Sequence, residues 1–264
     1  MISAGIDAGS RTMKAVLWNR FEKRIVASAV ADQGIDQDAL ARALFERLLD
    51  ENAIQRESVR AIVATGYGRK LVSFADRAVT EITCQRWGVR RQAPEARTIV
   101  DIGGQDSKLI RLDEFGGVAE FSMNDRCAAG TGRFLEVVAT RLGAKIDALG
   151  RLAAESQSPA HISSMCVVFA ETEIVGLLAS GVSPHDIVAG VQASIAGRVV
   201  AMSARSVESP IVFTGGVALV PGMAEALATA FQQPVAVVPE PQITAALGAA
   251  LLAAGEGNGQ IAGH

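Results

Sequence analysis

The segment Asp101-Ile102-Gly103-Gly104-Gln105-Asp106-Ser107-Lys108 separates two short apolar runs, 98–101 and 109–112. Its pattern occurs a second time near the beginning of the chain, as Asp7-Ala8-Gly9-Ser10-Arg11-Thr12-Met13-Lys14. Both copies fit D-x-G-[SG]-x-x-x-K, and both have a predicted strand on either side. A repeated strand–turn–strand unit predicts two similar halves, and function often lies where such halves meet.

Each of the two turns has the composition of a phosphate-binding turn. Small residues at the tip allow backbone N–H groups to point at a phosphate, and the lysine that ends each copy can balance phosphate charge. The carboxylates of Asp7 and Asp101 are placed to engage Mg²⁺ or its waters. A single turn of this kind is more often a plain hairpin, but the repeat favours a polyphosphate held by both. The residues predicted to bind it are Gly9, Ser10, Arg11 and Lys14 in the first copy, and Gly103, Gly104, Gln105 and Lys108 in the second.

A glycine pair, Gly215-Gly216, follows the predicted strand 211–214. Without side chains, the backbone at such a strand end can approach a flat ligand closely, although a glycine pair that serves only packing or a turn is about as common. The turn Thr65-Gly66-Tyr67-Gly68-Arg69 contains the only tyrosine of the chain. It is expected to be a tight connection that needs glycine, and not a binding site.

Hydrophobic periodicity predicts the remaining elements. Helices are predicted over 39–49, 80–87, 133–142, 167–178, 184–199, 221–230 and 245–254, and further strands over 15–18, 61–64 and 235–238. Residues 92–97 are expected to form a polar link, and residues 255–264 a frayed tail.

The chain contains three cysteines, and two of them stand directly before predicted helices. Cys127 lies in Met123-Asn124-Asp125-Arg126-Cys127-Ala128-Ala129-Gly130-Thr131-Gly132-Arg133-Phe134, and Cys166 ends the run Ser163-Ser164-Met165-Cys166. The third, Cys84, falls inside a predicted helix and is expected to be a buried, small apolar residue and not a ligand.

Composition limits the class of protein. The 264 residues are 49% hydrophobic and 20% charged, with a formal net charge of −3. This balance predicts a globular chain that does not bind nucleic acid through bulk charge. Apolar runs are too short to span a membrane, and the beginning of the chain does not have the pattern of an export signal. With so few cysteines, a cytoplasmic location is expected.

The two D-x-G turns and Gly215-Gly216 resemble the phosphate-1, phosphate-2 and adenosine segments of the actin, sugar-kinase and chaperone-ATPase superfamily. More narrowly, the segments 101–106, 123–134 and Val168-Phe169-Ala170-Glu171 resemble the ATPase activators (component A) of 2-hydroxyacyl-CoA dehydratases. The ATPase subunits of benzoyl-CoA reductase belong to the same family. The similarity extends from Ala4 to about Leu251, and the Asn-Asp-Arg-Cys-Ala-Ala-Gly-Thr-Gly run is its most specific part.

The resemblance implies an α/β fold of two ribonuclease-H-like, actin-like ATPase domains with mixed sheets and ATP in the interdomain cleft. Domain I would comprise residues 1–96 with the phosphate-1 loop, completed by the C-terminal segment 245–264. Domain II would comprise residues 97–244, with the phosphate-2 loop, both cysteine helices and the adenosine motif. A close contact is expected between the helix near Glu81 and the small-residue helix around Gly248.

The same resemblance implies a 4Fe–4S cluster, which ordinarily needs four thiolate ligands. Two copies of the chain would supply the four thiolates if Cys127 and Cys166 meet their copies across a two-fold axis, because an isologous interface doubles every ligand. A homodimer with one cluster is therefore expected. Helix N-termini also favour the anionic cluster, by roughly 0.3–1 kcal/mol each.

By resemblance, the protein is expected to hydrolyse ATP to ADP and to pass one electron from reduced ferredoxin or flavodoxin to an iron–sulfur dehydratase or reductase. Asp7, Asp101, Gln105 and Asp106 are the catalytic candidates, the last two for positioning the attacking water. Three alternatives remain. The chain could be a subunit of a benzoyl-CoA-type reductase, a small-molecule kinase on the same fold, or a chaperone-like ATPase without redox chemistry.

Overall fold

The computed structural model describes residues 1–163, 166–203 and 207–256. The chain divides into two compact units, one of Met1–Pro94 together with the chain from Ile243 onward, the other of Glu95–Gln242. No described helix is long and apolar enough to cross a lipid bilayer.

The described residues form ten strands and eight α-helices. The strands are β1 (Ile2–Ala8), β2 (Thr12–Asn19), β3 (Arg24–Asp32), β4 (Val59–Thr65), β5 (Arg77–Ala78), β6 (Thr98–Ile102), β7 (Ser107–Leu112), β8 (Val118–Asn124), β9 (Ile211–Thr214) and β10 (Val235–Val237). The helices are α1 (Gln37–Glu51), α2 (Glu81–Gln92), α3 (Gly132–Leu142), α4 (Leu149–Ala154), α5 (Val167–Ala179), α6 (Pro184–Ala201), α7 (Met223–Phe231) and α8 (Thr244–Ala253).

The first unit is built on a mixed five-stranded sheet in the order β3-β2-β1-β4-β5. Strands β1, β2 and β3 are antiparallel, whereas β4 and β5 run parallel to β1. The central strand β1 is apolar almost throughout because helices cover both of its faces. Ile6 packs in a core with Phe45 of α1, and on the other side Val16 and Trp18 of β2 pack against Ala246 and neighbouring residues of α8.

Helices α2 and α8 cross at glycines within the first unit. A Cβ atom placed on Gly248 would lie 1.8 Å from the carbonyl oxygen of Cys84, and one placed on Gly88 would lie 2.0 Å from that of Thr244. The two backbones are therefore in direct contact, which only glycine permits. The close helix contact expected around Gly248 is confirmed.

The second unit repeats the first. Its sheet has the order β10-β9-β6-β7-β8, with β6, β7 and β8 antiparallel and β9 and β10 parallel to β6. Strand β6 thus takes the place of β1, β7 that of β2, and β9 that of β4. Helix α6 crosses the core of this unit, with Ile187, Val191, Ile195 and Val199 fully buried at four-residue spacing. The predicted fold class, two α/β units with mixed sheets, is confirmed.

Some predicted boundaries were wrong. The helix predicted over 80–87 continues to Gln92, so the expected polar link begins later. The helix predicted from residue 221 begins at Met223, because Gly222 has φ +88° and cannot be helical. Strands β3, β5 and β8 and helix α4 were not predicted. Residues 257–264 of the expected tail, and Ser164 and Met165 before Cys166, lie outside the described residues.

Candidate nucleotide and cysteine sites

The first D-x-G turn joins β1 to β2 and places an ion pair at its base. The strand register sets Asp7 opposite Lys14, and the lysine Nζ lies 3.1 Å from the aspartate carboxylate. Both side chains are largely buried, with 9% and 14% of their surface exposed. Buried charges of this kind persist only when they are paired or hold a ligand.

The second turn joins β6 to β7 and repeats this arrangement. Asp101 lies opposite Lys108, whose Nζ is 3.4 Å from the carboxylate of Asp101 and 2.6 Å from that of Asp106. The Lys108 side chain is only 3% exposed. Gln105, at the tip of the turn, is exposed. The lysine therefore holds both carboxylates at the base of a turn whose tip faces solvent.

Each aspartate also has a threonine beside it on the neighbouring parallel strand. Asp101 pairs with Thr214 of β9, whose hydroxyl oxygen is 3.2 Å from the carboxylate, and Asp7 pairs with Thr65 of β4. The residue after each threonine is a glycine with positive φ, +91° at Gly66 and +88° at Gly215. Both units thus carry the same set of four residues, aspartate, lysine, threonine and glycine.

These glycines face their aspartates closely. A Cβ atom on Gly66 would lie 2.5 Å from Oδ1 of Asp7, and one on Gly215 would lie 2.7 Å from Oδ1 of Asp101. Residues Thr65, Gly66 and Thr214 were not among the predicted site residues. The signal was present as the repeated Thr-Gly after an apolar strand, but the turn after β4 was interpreted as a plain connection.

Glycines in the D-x-G turns let the backbone lie directly against charged side chains. A Cβ atom on Gly9 would lie 2.9 Å from Nζ of Lys14, and one on Gly103 would lie 2.5 Å from Oδ1 of Asp106. Ser10 is half-buried and Arg11 is exposed beside the first tip, and Gly104 is half-buried at the second. The turns therefore present backbone next to a charged pair, the arrangement that binds phosphate and a hydrated cation.

The adenosine candidate, Gly215-Gly216, follows β9. The N–H of Gly215 donates to the carbonyl oxygen of Pro241 at 2.9 Å, which fixes the strand end. At Gly216 an added Cβ would meet nothing closer than Nε2 of Gln242 at 3.9 Å. This side of the strand end is therefore open to a ligand.

Cys127 lies in the second unit, in a loop that one asparagine holds. The Nδ2 of Asn124 donates to the carbonyl oxygen of Cys127 at 2.8 Å, and the N–H of Cys127 donates to Oδ1 of Asn124 at 3.1 Å. Cys127 is half-buried and directly precedes a short 3-10 turn, Ala128–Gly130, that leads into α3. Cys127 was predicted to precede a helix, and in the structure this short turn separates it from α3.

Cys166 is exposed and is the N-cap residue of α5. Upstream of it, the N–H and hydroxyl groups of Ser163 donate to the carboxylate of Glu173 at 2.8 and 2.7 Å. On the same helix, Glu171 forms an ion pair with Arg141 of α3. The helices that follow the two cysteines are therefore linked to each other.

The sequence matches a family model described as the BadF/BadG/BcrA/BcrD ATPase family over residues 4–253. The chain belongs to this family. It is 45% identical to the activator of lactoyl-CoA dehydratase from Anaerotignum propionicum, over 96% of this chain and 97% of that protein. It is 34% identical to a benzoyl-CoA reductase subunit from Thauera aromatica, over 95% of this chain and 92% of the other.

A solved structure of a similar protein supports the same family assignment. The activator of the 2-hydroxyisocaproyl-CoA dehydratase from Clostridium difficile, with bound ADPNP, superposes with a TM-score of 0.91. The two chains are 41% identical, and the match covers 97% of this chain and 95% of the other. The fold is that of the actin-like ATPases.

The third cysteine of this BadF/BadG/BcrA/BcrD ATPase is chemically different from the other two. Cys84 is fully buried between α2, α8 and β4, as expected. Burial raises the pKa of its thiol to about 12, so the thiol stays protonated at neutral pH, and the thiolate is the form that binds metal. The cysteines suited to hold a cluster are therefore Cys127 and Cys166.

No group of three or more histidine, cysteine, aspartate or glutamate side chains stands ready to hold a metal ion anywhere in the described ranges. Cys127 and Cys166 of one chain would supply half of the thiolates of a four-thiolate site. Both lie directly before helical turns, where an anionic group is favoured. Single carboxylates fit Mg²⁺ as well, since this ion usually keeps several waters and takes one or two carboxylates plus substrate phosphates.

Proposed function

We propose that this chain is an ATP-hydrolysing activator that drives one-electron transfer from reduced ferredoxin or flavodoxin to an iron–sulfur enzyme of the 2-hydroxyacyl-CoA dehydratase type. The electron would pass through a 4Fe–4S cluster shared across a homodimer. Membership of the ATPase family and 45% identity to a dehydratase activator support this function.

In this proposal the D-x-G turns bind the ATP phosphates. Asp7 and Asp101 hold Mg²⁺ or its waters, Lys14 and Lys108 balance the phosphate charge, and the glycine tips supply backbone N–H donors. Gly215 and Gly216 accept the flat adenosine. The repeated set of aspartate, lysine, threonine and glycine supports this assignment, because both copies put a buried charged pair beside exposed backbone.

Hydrolysis needs an oriented water molecule. We assign this task to Gln105, at the tip of the second turn, and to Asp106, which follows it. Gln105 is exposed and can rotate toward a phosphate, whereas Asp106 is held 2.6 Å from the Lys108 ammonium. The lysine keeps the Asp106 carboxylate at the base of the turn, where it can accept a hydrogen bond from water.

Cys127 and Cys166 are the proposed cluster ligands, with two copies of the chain supplying four thiolates. When bound, the cluster supplies a one-electron carrier. The single observation that carries the activator function is that the two accessible cysteines begin helical segments in the unit that also contains the Asp101 turn. A kinase or a chaperone-like ATPase has no use for this pairing.

The function is tested by electron delivery to a dehydratase-type partner. The purified anaerobic protein is mixed with reduced ferredoxin, the partner and either ATP or a non-hydrolysable analogue. Partner reduction that requires ATP hydrolysis and is lost in Cys127→Ser supports the proposal. Reduction that proceeds equally without nucleotide would contradict it.

The 34% identity to the Thauera aromatica benzoyl-CoA reductase subunit favours one second candidate, an ATPase subunit of a benzoyl-CoA-type reductase. Such a subunit would work only as part of a stable complex with its reductase. If the isolated chain forms a homodimer that activates a dehydratase catalytically, at far less than one activator per enzyme, the subunit role is wrong.

A further inference from the structure

Three hydrogen bonds join the second D-x-G turn to the loop that follows Cys127. The N–H of Gly132 donates to the carbonyl oxygen of Gly103 at 2.9 Å, and the N–H of Arg133 donates to that of Gly104 at 2.9 Å. The hydroxyl of Ser107 donates to the carbonyl oxygen of Gly130. The turn and the start of α3 therefore form one hydrogen-bonded structure.

The path from this structure to the cysteine is short. The N–H and the hydroxyl of Thr131 both donate to the carbonyl oxygen of Ala128, the residue after Cys127. The backbone of Cys127 is in turn held by Asn124. A displacement of residues 130–133 would therefore change the conformation of the 3-10 turn that directly follows Cys127.

Peptide planarity makes the link direct. The carbonyl group of Gly103 belongs to the same rigid peptide unit as the N–H of Gly104, and the carbonyl of Gly104 to the same unit as the N–H of Gln105. In a trans peptide the two groups point in opposite directions. If an N–H at the tip turns toward a phosphate, the carbonyl bonded to Gly132 or Arg133 must turn as well.

The first unit does not repeat the serine bond of this link. The residue that corresponds to Ser107 is Met13, which precedes Lys14 as Ser107 precedes Lys108 and has no hydroxyl. There the carbonyl oxygen of Gly9, the counterpart of Gly103, accepts from the side-chain amide of Gln33 at 2.6 Å. A serine hydroxyl at this position is therefore found only in the turn of the unit that carries Cys127 and Cys166. It is not one of the phosphate-binding features that both turns share.

We propose that Ser107 is a positioning residue that, with the carbonyls of Gly103 and Gly104, transmits the nucleotide state of the second turn to Cys127. This inference rests on the proposed function, since it needs ATP at the turn and a cluster on the cysteine. Ser107 is 1% exposed, so water does not replace its bond to Gly130. Removal of the hydroxyl breaks the bond to Gly130 and so loosens the link between the turn and residues 130–133. The charged pair of Asp101 and Lys108 is not changed.

The test compares the rate at which a chelator removes iron from the anaerobic holoprotein in ADP and in a non-hydrolysable ATP analogue. We expect the two rates to differ about fivefold or more in the unaltered protein. In Ser107→Ala the ratio should fall to less than about half of that value, while nucleotide affinity stays within about twofold. Ser107→Thr, which keeps a hydroxyl, should restore the ratio. Ser122→Ala, a matched change on the neighbouring strand β8, should leave it unaltered.

An unaltered ratio in Ser107→Ala, with iron and nucleotide both bound, would overturn the inference and leave the proposed function standing. If the unaltered protein binds no iron or no ATP, both are wrong. If Ser107→Ala does not fold, amide hydrogen exchange in the unaltered holoprotein tests the inference instead. The amides of Gly132 and Arg133 should exchange at rates that differ about threefold or more between ADP and the ATP analogue. Equal rates would overturn the inference.

Discussion

The hydroxyl of Thr214 lies 3.2 Å from the carboxylate of Asp101, because the two residues are direct neighbours on the parallel strands β9 and β6. Gly215 follows with positive φ, and its missing Cβ would lie 2.7 Å from the same carboxylate. The position of Asp101 therefore depends on a strand more than a hundred residues away in the sequence.

Replacement of Gly215 should disturb this arrangement strongly. Gly215→Ala introduces a methyl group against Asp101 at φ +88°, and we expect it to lower the free energy of unfolding by about 1–3 kcal/mol. Gly216→Ala is the matched control. Its Cβ would meet nothing closer than 3.9 Å, so the loss should stay below about 1 kcal/mol. Chemical denaturation of both variants measures the difference, and equal losses would show that the close approach at Gly215 does not constrain the fold.

Loss of the Asp101 charge should impair hydrolysis more than binding. In Asp101→Asn, Lys108 keeps its partner Asp106 at 2.6 Å, so the turn should persist. The carboxylate proposed to hold Mg²⁺ is gone, and we expect the rate of ATP hydrolysis to fall about 100-fold or more. Asp147→Asn, at an exposed position of the same unit, is the control. A rate within about twofold of the unaltered protein would remove Asp101 from the catalytic candidates.

The three cysteines should differ in their effect on iron content. Cys127→Ser and Cys166→Ser should each lose most of the bound iron, because serine is a poor ligand for the cluster. Cys84→Ala should keep it, since Cys84 is fully buried and its thiol stays protonated. Iron analysis of the three variants, purified anaerobically in parallel, makes the comparison. Normal iron in Cys127→Ser would contradict the ligand assignment.

The buried thiol should also make stability fall at alkaline pH. Burial raises the folded-state pKa of Cys84 to about 12, whereas an unfolded cysteine has a pKa of about 8.5. Above the unfolded value, the unfolded chain binds fewer protons than the folded one. The free energy of unfolding should therefore fall by up to about 1.4 kcal/mol per pH unit from this residue, from about pH 9 until the folded pKa is reached.

The control for this pH dependence is Cys84→Ala, which has no thiol to ionise. The slope of its unfolding free energy against pH, measured between about pH 8 and 10 by denaturant titration, should be shallower than that of the unaltered protein. Parallel curves for the two proteins would show that the Cys84 thiol ionises in the folded state as readily as in the unfolded chain.

Local patterns in the sequence predicted the repeated turns well. The spacing of seven residues between Asp101 and Lys108 places them opposite each other in a hairpin, and the same spacing works for Asp7 and Lys14. Apolar and polar residues alternate over residues 119–124 of the edge strand β8, in the way that marks a half-buried strand. The strand was nevertheless missed, because the segment that begins at Met123 was interpreted as part of the Cys127 loop. Its apolar side chains Phe121 and Met123 are exposed.

Contacts between distant segments could not be predicted in the same way. Thr65 and Thr214 become parts of the sites only through parallel pairing with β1 and β6, which depends on crossover connections and not on local sequence. The bonds from Gly132 and Arg133 to the second turn use backbone groups, which every residue carries. No residue type marks such bonds in advance.

The central claim is that two copies of this chain share one cluster through Cys127 and Cys166. It is tested most directly by iron and sulfide analysis of the anaerobically purified protein, combined with its mass in solution. The account predicts a dimer with about four iron and four sulfide per two chains. A monomer that holds a complete cluster by itself, or a protein that hydrolyses ATP but contains no iron, would contradict it.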